Sequence, residues 1–299
     1  MDLRRALAAG LVCLAAAACG GSGTPSAPGS PSAAGHPCTG AAPPARFAHV
    51  ILIVMENHGF DQVAGHSPFL NALAHRCGLA AGYHAVAHPS LPNYLALTSG
   101  STQGLVGQDC SPGSGCQSGG QSIFSQTSWR AYAESMSGRC ALTNSGDYAP
   151  RHNPAVYYTR VKGECATADV PLTELPGDLR SGRLAPYTFI APNLCSDEHN
   201  CGVSNGDAWL ARWLPRLTSS AVYRSGATAI FITYDEDDRG EDNRVYTVVA
   251  ARSVRPGTVS ETPFTHYSML RTNEQLLGLP PLGDAATAAS MAAAFHLAG

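Results

Sequence analysis

The 299-residue chain has a single lysine, Lys162, and no basic cluster after Arg4 and Arg5. A phosphate-facing patch for nucleic acid has nothing to build on, so nucleic-acid binding is not expected. Charge is sparse altogether: 14% of residues, with 19 basic and 22 acidic side chains giving a formal −3. Small anionic ligands stay open to such a chain, because they need a few local cations or a metal rather than net charge. Neither G-x-x-x-x-G-K-[ST] nor G-x-G-x-x-G occurs, which argues against a nucleotide cofactor. No C-x-x-C pair occurs, which argues against a zinc cluster. Beyond Ala6 to Ala18 no apolar run reaches membrane-spanning length, and that run itself is too short.

What is present describes a folded, exported chain. An apolar fraction of 44% suits a packed core rather than disorder. Arg4 and Arg5 followed by a dozen or so apolar residues form a secretory signal over residues 1–19. Ala16-Ala17-Ala18-Cys19-Gly20 resembles a bacterial lipoprotein cleavage box, so Cys19 is expected to carry a lipid anchor to a membrane. Plain secretion is the alternative. Residues 20–45, rich in Gly, Ser, Pro and Ala, read as a flexible tether, and residues 46–299 as one domain. Ten cysteines less Cys13 and Cys19 leave eight, an even number that suggests disulfides in an oxidising compartment. Cys110/Cys116 and Cys195/Cys201 could close small loops, leaving Cys38/Cys77 and Cys140/Cys165, although spacing alone does not fix the connectivity.

His49 to Met55, Tyr187 to Ala191 and Ala229 to Tyr234 are continuous apolar runs of the kind buried parallel strands show, with Val245 to Ala251 a fourth candidate. Helix-like segments at 67–75, 93–99, 207–217 and 267–277 alternate with them. The alternation predicts an α/β three-layer sandwich with a mostly parallel central sheet. In such sheets functional groups gather past the carboxyl ends of the strands. Met55-Glu56-Asn57-His58 and Tyr234-Asp235-Glu236-Asp237-Asp238 each follow a strand, and so deliver carboxylates to one edge. That concentration of negative charge is costly without a compensating cation, and its oxygen donors suit a divalent metal. His88-Pro89-Ser90-Leu91-Pro92-Asn93-Tyr94 sets Ser90 close to a helix start, where an anion is favoured. Capping is the bland alternative for Ser90 and Asn93. Asp207 reads as an N-cap, and His58, His66, His75, His84 and His152 as surface residues.

Together, Met55-Glu56-Asn57, His88 to Tyr94 with Ser99-Gly100, and Asp235-Glu236 resemble the bacterial phosphoesterase family that includes secreted acid phosphatases and phospholipases C. That family belongs to the alkaline-phosphatase-like superfamily, and the resemblance covers most of residues 48–279. Ser90-Leu91-Pro92-Asn93 also looks like the nucleophile turn of nucleotide pyrophosphatases, with serine in place of threonine. The resemblance implies an alkaline-phosphatase-like fold and a phosphoserine intermediate on Ser90. Glu56, Asn57, Ser90, Asp235 and Glu236 would hold a divalent ion (calcium, magnesium, manganese or zinc), and Asn93 and His88 would contact the phosphate. Asp197, His199 and His266 would hold a second ion, or His199 and His266 would serve in catalysis. Where the superfamily has an aspartate–histidine pair this chain has Asp235-Glu236, a harder donor set that favours calcium, magnesium or manganese over zinc.

The expected activity is hydrolysis of small phosphate monoesters. A phospholipase C commonly carries further domains, so a phosphodiesterase or phospholipase C of the same family is the alternative. Gly202-Val203-Ser204-Asn205-Gly206 matches G-x-S-x-G and raises a metal-independent serine esterase, but Ser204 trails a polar loop rather than a strand. A non-catalytic phosphate-binding lipoprotein is the remaining rival, and an intact Ser90 argues against it.

Overall fold

The computed structural model describes residues 36–113, 115–240 and 242–298. Among these residues the strands are β1 (His49–Met55), β2 (Gly78–Ala80), β3 (Trp129–Ala133), β4 (Asp169–Pro171), β5 (Tyr187–Ala191), β6 (Thr228–Tyr234), β7 (Thr247–Ala251) and β8 (Thr258–Ser260). The helices are α1 (Phe60–His66), α2 (Pro68–Arg76), α3 (Ser90–Ser99), α4 (Ile123–Gln126), α5 (Lys162–Ala168), α6 (Leu175–Ser181), α7 (Val203–Thr218), α8 (Ala221–Arg224) and α9 (His266–Leu277). The strands form one sheet in the order β4-β3-β5-β1-β6-β7-β2-β8. Only β7 runs against its neighbours. The α/β three-layer architecture with a mostly parallel sheet is the one expected, α3 packing with α9 and α7 with α1 and α2.

The centre of the sheet explains itself. β1 lies between β5 and β6, parallel to both, and apart from the half-buried His49 every residue in it is buried. A strand covered on both faces has no polar side to alternate with, hence the unbroken Val50–Met55 run. β7 departs from the parallel pattern because the connection from Asp235 to Tyr246 carries no helix. A parallel return needs a crossover, usually helical, so the chain doubles back beside β6.

Two helices begin earlier than their periodicity suggests. α3 starts at Ser90, since Pro92 in the first turn gives up an N–H that has no helical partner there. α7 starts at Val203, which puts Asp207 inside it rather than at its cap. The Asp207 carboxylate instead accepts the Phe69 and Leu70 N–H groups, at 3.0 and 2.9 Å, and so caps α2.

The signal, Cys19 and most of the tether lie outside the described residues. The folded body starts before Arg46. Cys38 is fully buried and bonded to Cys77, and residues 39–41 hydrogen-bond to Arg252 and Val254. The end of the expected tether is therefore part of the domain, because a half-cystine pins it. The other disulfides are Cys110–Cys116, Cys140–Cys165 and Cys195–Cys201. Four disulfides fit an extracellular or otherwise oxidising setting. No helix among the described residues is long and apolar enough to cross a membrane.

Candidate active site

The carboxyl ends of β1, β5 and β6 meet at one edge of the sheet, and their sequels build a buried acidic pocket. Asp235 N–H bonds Met55 O and Glu56 N–H bonds Asp197 O, which stitches the three strand ends together. Ser90, the first residue of α3, donates its hydroxyl to Glu56 Oε2 at 2.9 Å instead of capping its helix. Tyr94, one turn on, donates to the other Glu56 oxygen at 2.5 Å. Asn57 sits in the left-handed region at φ 58°, and its N–H donates to Asp235 Oδ1 at 3.1 Å. Glu56, Asn57, Ser90 and Asp235 are thus brought together. Glu236 lies beside them, its Oε2 2.6 Å from His88 Nδ1, and Asp237 is 3.4 Å from the other nitrogen of that ring.

Two expected contacts fall elsewhere. Asn93 is fully buried, and both ends of its amide serve the preceding turn. Its oxygen accepts the Val86 and Ala87 N–H groups, and its nitrogen donates to Ala87 O. Its amide shapes the turn that presents Ser90. His266 does not join Asp197 and His199. Its Nε2 faces the Asp235 carbonyl at 2.7 Å, which only accepts, so the proton is on that nitrogen. Its Nδ1 accepts from Tyr83 Oη at 2.9 Å, and burial pushes the ring down to about 4, so it stays neutral and braces the end of β6.

The residue the sequence reading missed is His152. It is 2% exposed, not on the surface, and lies in a series of short 3₁₀ turns between residues 150 and 161. Its Nδ1 bonds Asp197 Oδ2 at 2.9 Å, its Nε2 stands 3.3 Å from Glu56 Oε1, and its ring stacks on Tyr94. Glu56, His152 and His199 bring ligand atoms within 4.8 Å of one another. The neighbouring Arg151 reaches His199 Nε2 at 3.0 Å and Asp109 at 3.4 Å. Arginine only donates, so His199 Nε2 is the acceptor and its proton lies on Nδ1, toward Asn200 Oδ1. Asp109 in turn accepts the Leu91 N–H beside Ser90. The signal for His152 was in the sequence, since Arg151-His152-Asn153-Pro154 is a polar, proline-bounded cluster like the one around Ser90.

Burial lifts Asp197 and Asp235 to about 7 and Glu236 to about 9, and Glu56 rises too, through burial and then the charges of Asp235 and Asp197. Burial also holds His152 far below its ordinary range. Asp235 Oδ2 and His152 Nε2 are buried without a hydrogen-bond partner. Crowded carboxylates, unpartnered donor atoms and neutral imidazoles fit a divalent cation. Ser204 does not form a rival nucleophile. It is exposed at the start of α7, and a loop rather than a strand leads into it.

A serine at a helix start above a buried acidic strand edge has the layout of a hydrolase nucleophile beside a cation site. The family model described as Phosphoesterase family matches residues 66–280, and the chain belongs to that family. A phosphatidylinositol-3-phosphatase of Mycobacterium tuberculosis is 34% identical over 81% of this chain and 81% of its own length. A phosphate-repressible acid phosphatase of Penicillium chrysogenum is 29% identical over 79% of this chain and 60% of its own length. A solved Vibrio parahaemolyticus protein of the alkaline phosphatase superfamily superposes with a TM-score of 0.56 at 14% identity, over 81% of this chain and 70% of that one. The chain is therefore a phosphoric ester hydrolase.

Proposed function

We propose that the protein is an exported, metal-dependent phosphomonoesterase of acid phosphatase type that works through a phosphoserine on Ser90. The observation that carries this reading is the Ser90 hydroxyl, at the start of α3, bonded to a carboxylate in the pocket where three strand ends meet. Ser90 Oγ attacks phosphorus, the ester oxygen leaves, and water then releases phosphate from the serine. Glu56, Asn57, Ser90, Asp235 and Glu236 would hold the ion, with His152, Asp197 and, where its Nε2 exchanges Arg151 for the ion, His199 as the donors for a second. A bound divalent ion supplies Lewis-acid stabilisation of the phosphoryl oxygens and lowers the pKa of the serine hydroxyl. Arg151, held by Asp109 and His199, offers the guanidinium that receives the phosphate oxygens. His88, partly exposed beside Glu236 and Asp237, stands at the mouth to meet the ester. The relatives named phosphatases support a monoester substrate. Cys19 is the proposed lipid-bearing residue.

Hydrolysis of p-nitrophenyl phosphate by wild type and Ser90→Ala, each with and without EDTA, tests this. Ser90→Ala is expected to lower kcat by at least about 10³-fold and EDTA to abolish turnover, restored by divalent ions. Turnover surviving both treatments overturns the mechanism. Faster hydrolysis of bis(p-nitrophenyl) phosphate than of the monoester overturns the substrate class alone.

A further inference from the structure

A long groove runs down the flank of the molecule from the active-site edge. Two hollows of about 540 and 580 Å³ share Pro176 of α6 and Trp213 and Arg216 of α7, so they adjoin. Each has the size of a small-molecule site. The upper end is Glu134, directly after β3, whose carboxylate accepts the Asn193 N–H of the loop that carries Asp197 and His199. The floor is apolar, with Met136 and Leu172 in the upper hollow and Leu179 in the lower.

The rim is basic. Arg180, Arg212 and Arg216 line the groove against one acidic residue, Glu134, a local excess of two positive charges in a chain of formal charge −3. Arg212 pairs with Glu134 at 3.5 Å, whereas Arg180 and Arg216 make no ion pair among the described residues. Arg216 lies over the Trp213 ring at 5.0 Å. Trp213 lines both hollows, is 7% exposed, and its indole N–H is buried without a hydrogen-bond partner.

We propose that this groove docks the protein on an anionic phospholipid surface. A phospholipid carries phosphate oxygens and an apolar chain a few bonds apart, which is the pairing that the arginine rim and the apolar floor present. Guanidinium groups take phosphate oxygens in forked geometry while their stems stay on apolar surface. None of the groove's arginines belongs to the catalytic pocket, so the proposal stands apart from the mechanism given above.

Co-sedimentation of the full chain with vesicles of phosphatidylcholine, alone or mixed with phosphatidylglycerol, tests the proposal. A lipid anchor on Cys19 would bind both, whereas the groove selects the anionic surface. Wild type is expected to favour the mixed vesicles, more so at low salt. Arg180→Gln/Arg216→Gln is expected to weaken that preference about thirty-fold, while hydrolysis of p-nitrophenyl phosphate shows that the fold and pocket are intact. Mixed vesicles with brominated acyl chains are expected to quench wild-type fluorescence more than that of Trp213→Phe. Equal sedimentation with both vesicle types, or an anionic preference kept by the double variant, overturns the proposal. So does an acidic peptide that occupies the groove, read from Trp213 fluorescence, when vesicles do not.

Discussion

Asp169 shows how much one buried side chain can decide away from the chemistry. It is fully buried at the start of β4, and its two oxygens accept only the Asn153 amide nitrogen, at 3.0 and 2.9 Å. Burial lifts its carboxyl to about 7, against about 3.9 in an unfolded chain. Between those values the folded chain holds a proton that the unfolded chain has lost. Stability from this group is therefore complete below about pH 4, falls as pH rises to about 7, and is constant above; the total is about 4 kcal/mol. Asp169→Asn should remove that dependence at modest cost, because Asn153 Oδ1 has no partner now and a flipped amide would accept from the new one. Urea unfolding at about pH 4.5 and about pH 7.5 should show the variant gaining on wild type as pH rises. A difference between the two proteins that does not change with pH would sink the argument.

At the scale of elements, the start of α7 is fitted to the loop before it. Glu198 has φ 84°, in the left-handed region, and its buried carboxyl accepts from Tyr234 Oη at 3.2 Å. Gly206, in the second turn of α7, leaves room for that carboxyl, and a Cβ there would run into Glu198 Oε1. Gly→Ala inside a helix ordinarily stabilises by about 1 kcal/mol. Here overpacking costs more, and Gly206→Ala is expected to lose about 1–3 kcal/mol net. Because Glu198 lies between Asp197 and His199, kcat should fall as well. A raised denaturation midpoint would show that the loop yields freely. The legibility of elements follows the same physics. β1, β5 and β6 could be read because two-sided burial leaves an uninterrupted apolar run. β3 could not, since Arg130 breaks its run, and only the fold shows that guanidinium reaching Glu174 and Asp178. β2, β4 and β8 are three residues each, too short for any period. Glu56, Ser90 and Asp235 were legible because strand ends and helix starts announce themselves. His152 and Arg151 carried only the weaker signal of a polar, proline-bounded cluster, because irregular 3₁₀ turns have no periodicity to place it, and Asn93 and His266 were read as site contacts because residue type does not say where a buried amide or ring finds its partners.

Across the whole molecule, two of the disulfides divide between holding the fold and holding the site. Cys38–Cys77 precedes the start of β2, which runs parallel to β6, and so lies at the sheet edge opposite the pocket. It closes a span of 39 residues, whose release in the unfolded chain corresponds to about 4 kcal/mol of stability. Cys195–Cys201 spans only six residues, about 2 kcal/mol by the same relation, but Asp197, Glu198 and His199 all lie within it. Stability and activity should therefore separate. Cys38→Ser/Cys77→Ser is expected to lower the unfolding midpoint strongly while kcat on p-nitrophenyl phosphate, measured well below that midpoint, stays near wild type. Cys195→Ser/Cys201→Ser is expected to do the reverse, with a smaller loss of stability and a kcat at least about tenfold lower, since a small misplacement of catalytic groups costs that much. Parallel losses in both variants would mean that the site loops take their shape from the domain as a whole. In that case contacts outside the disulfide loop, such as Asp197 with His152 and Glu56, and Asn193 with Glu134, would set its shape.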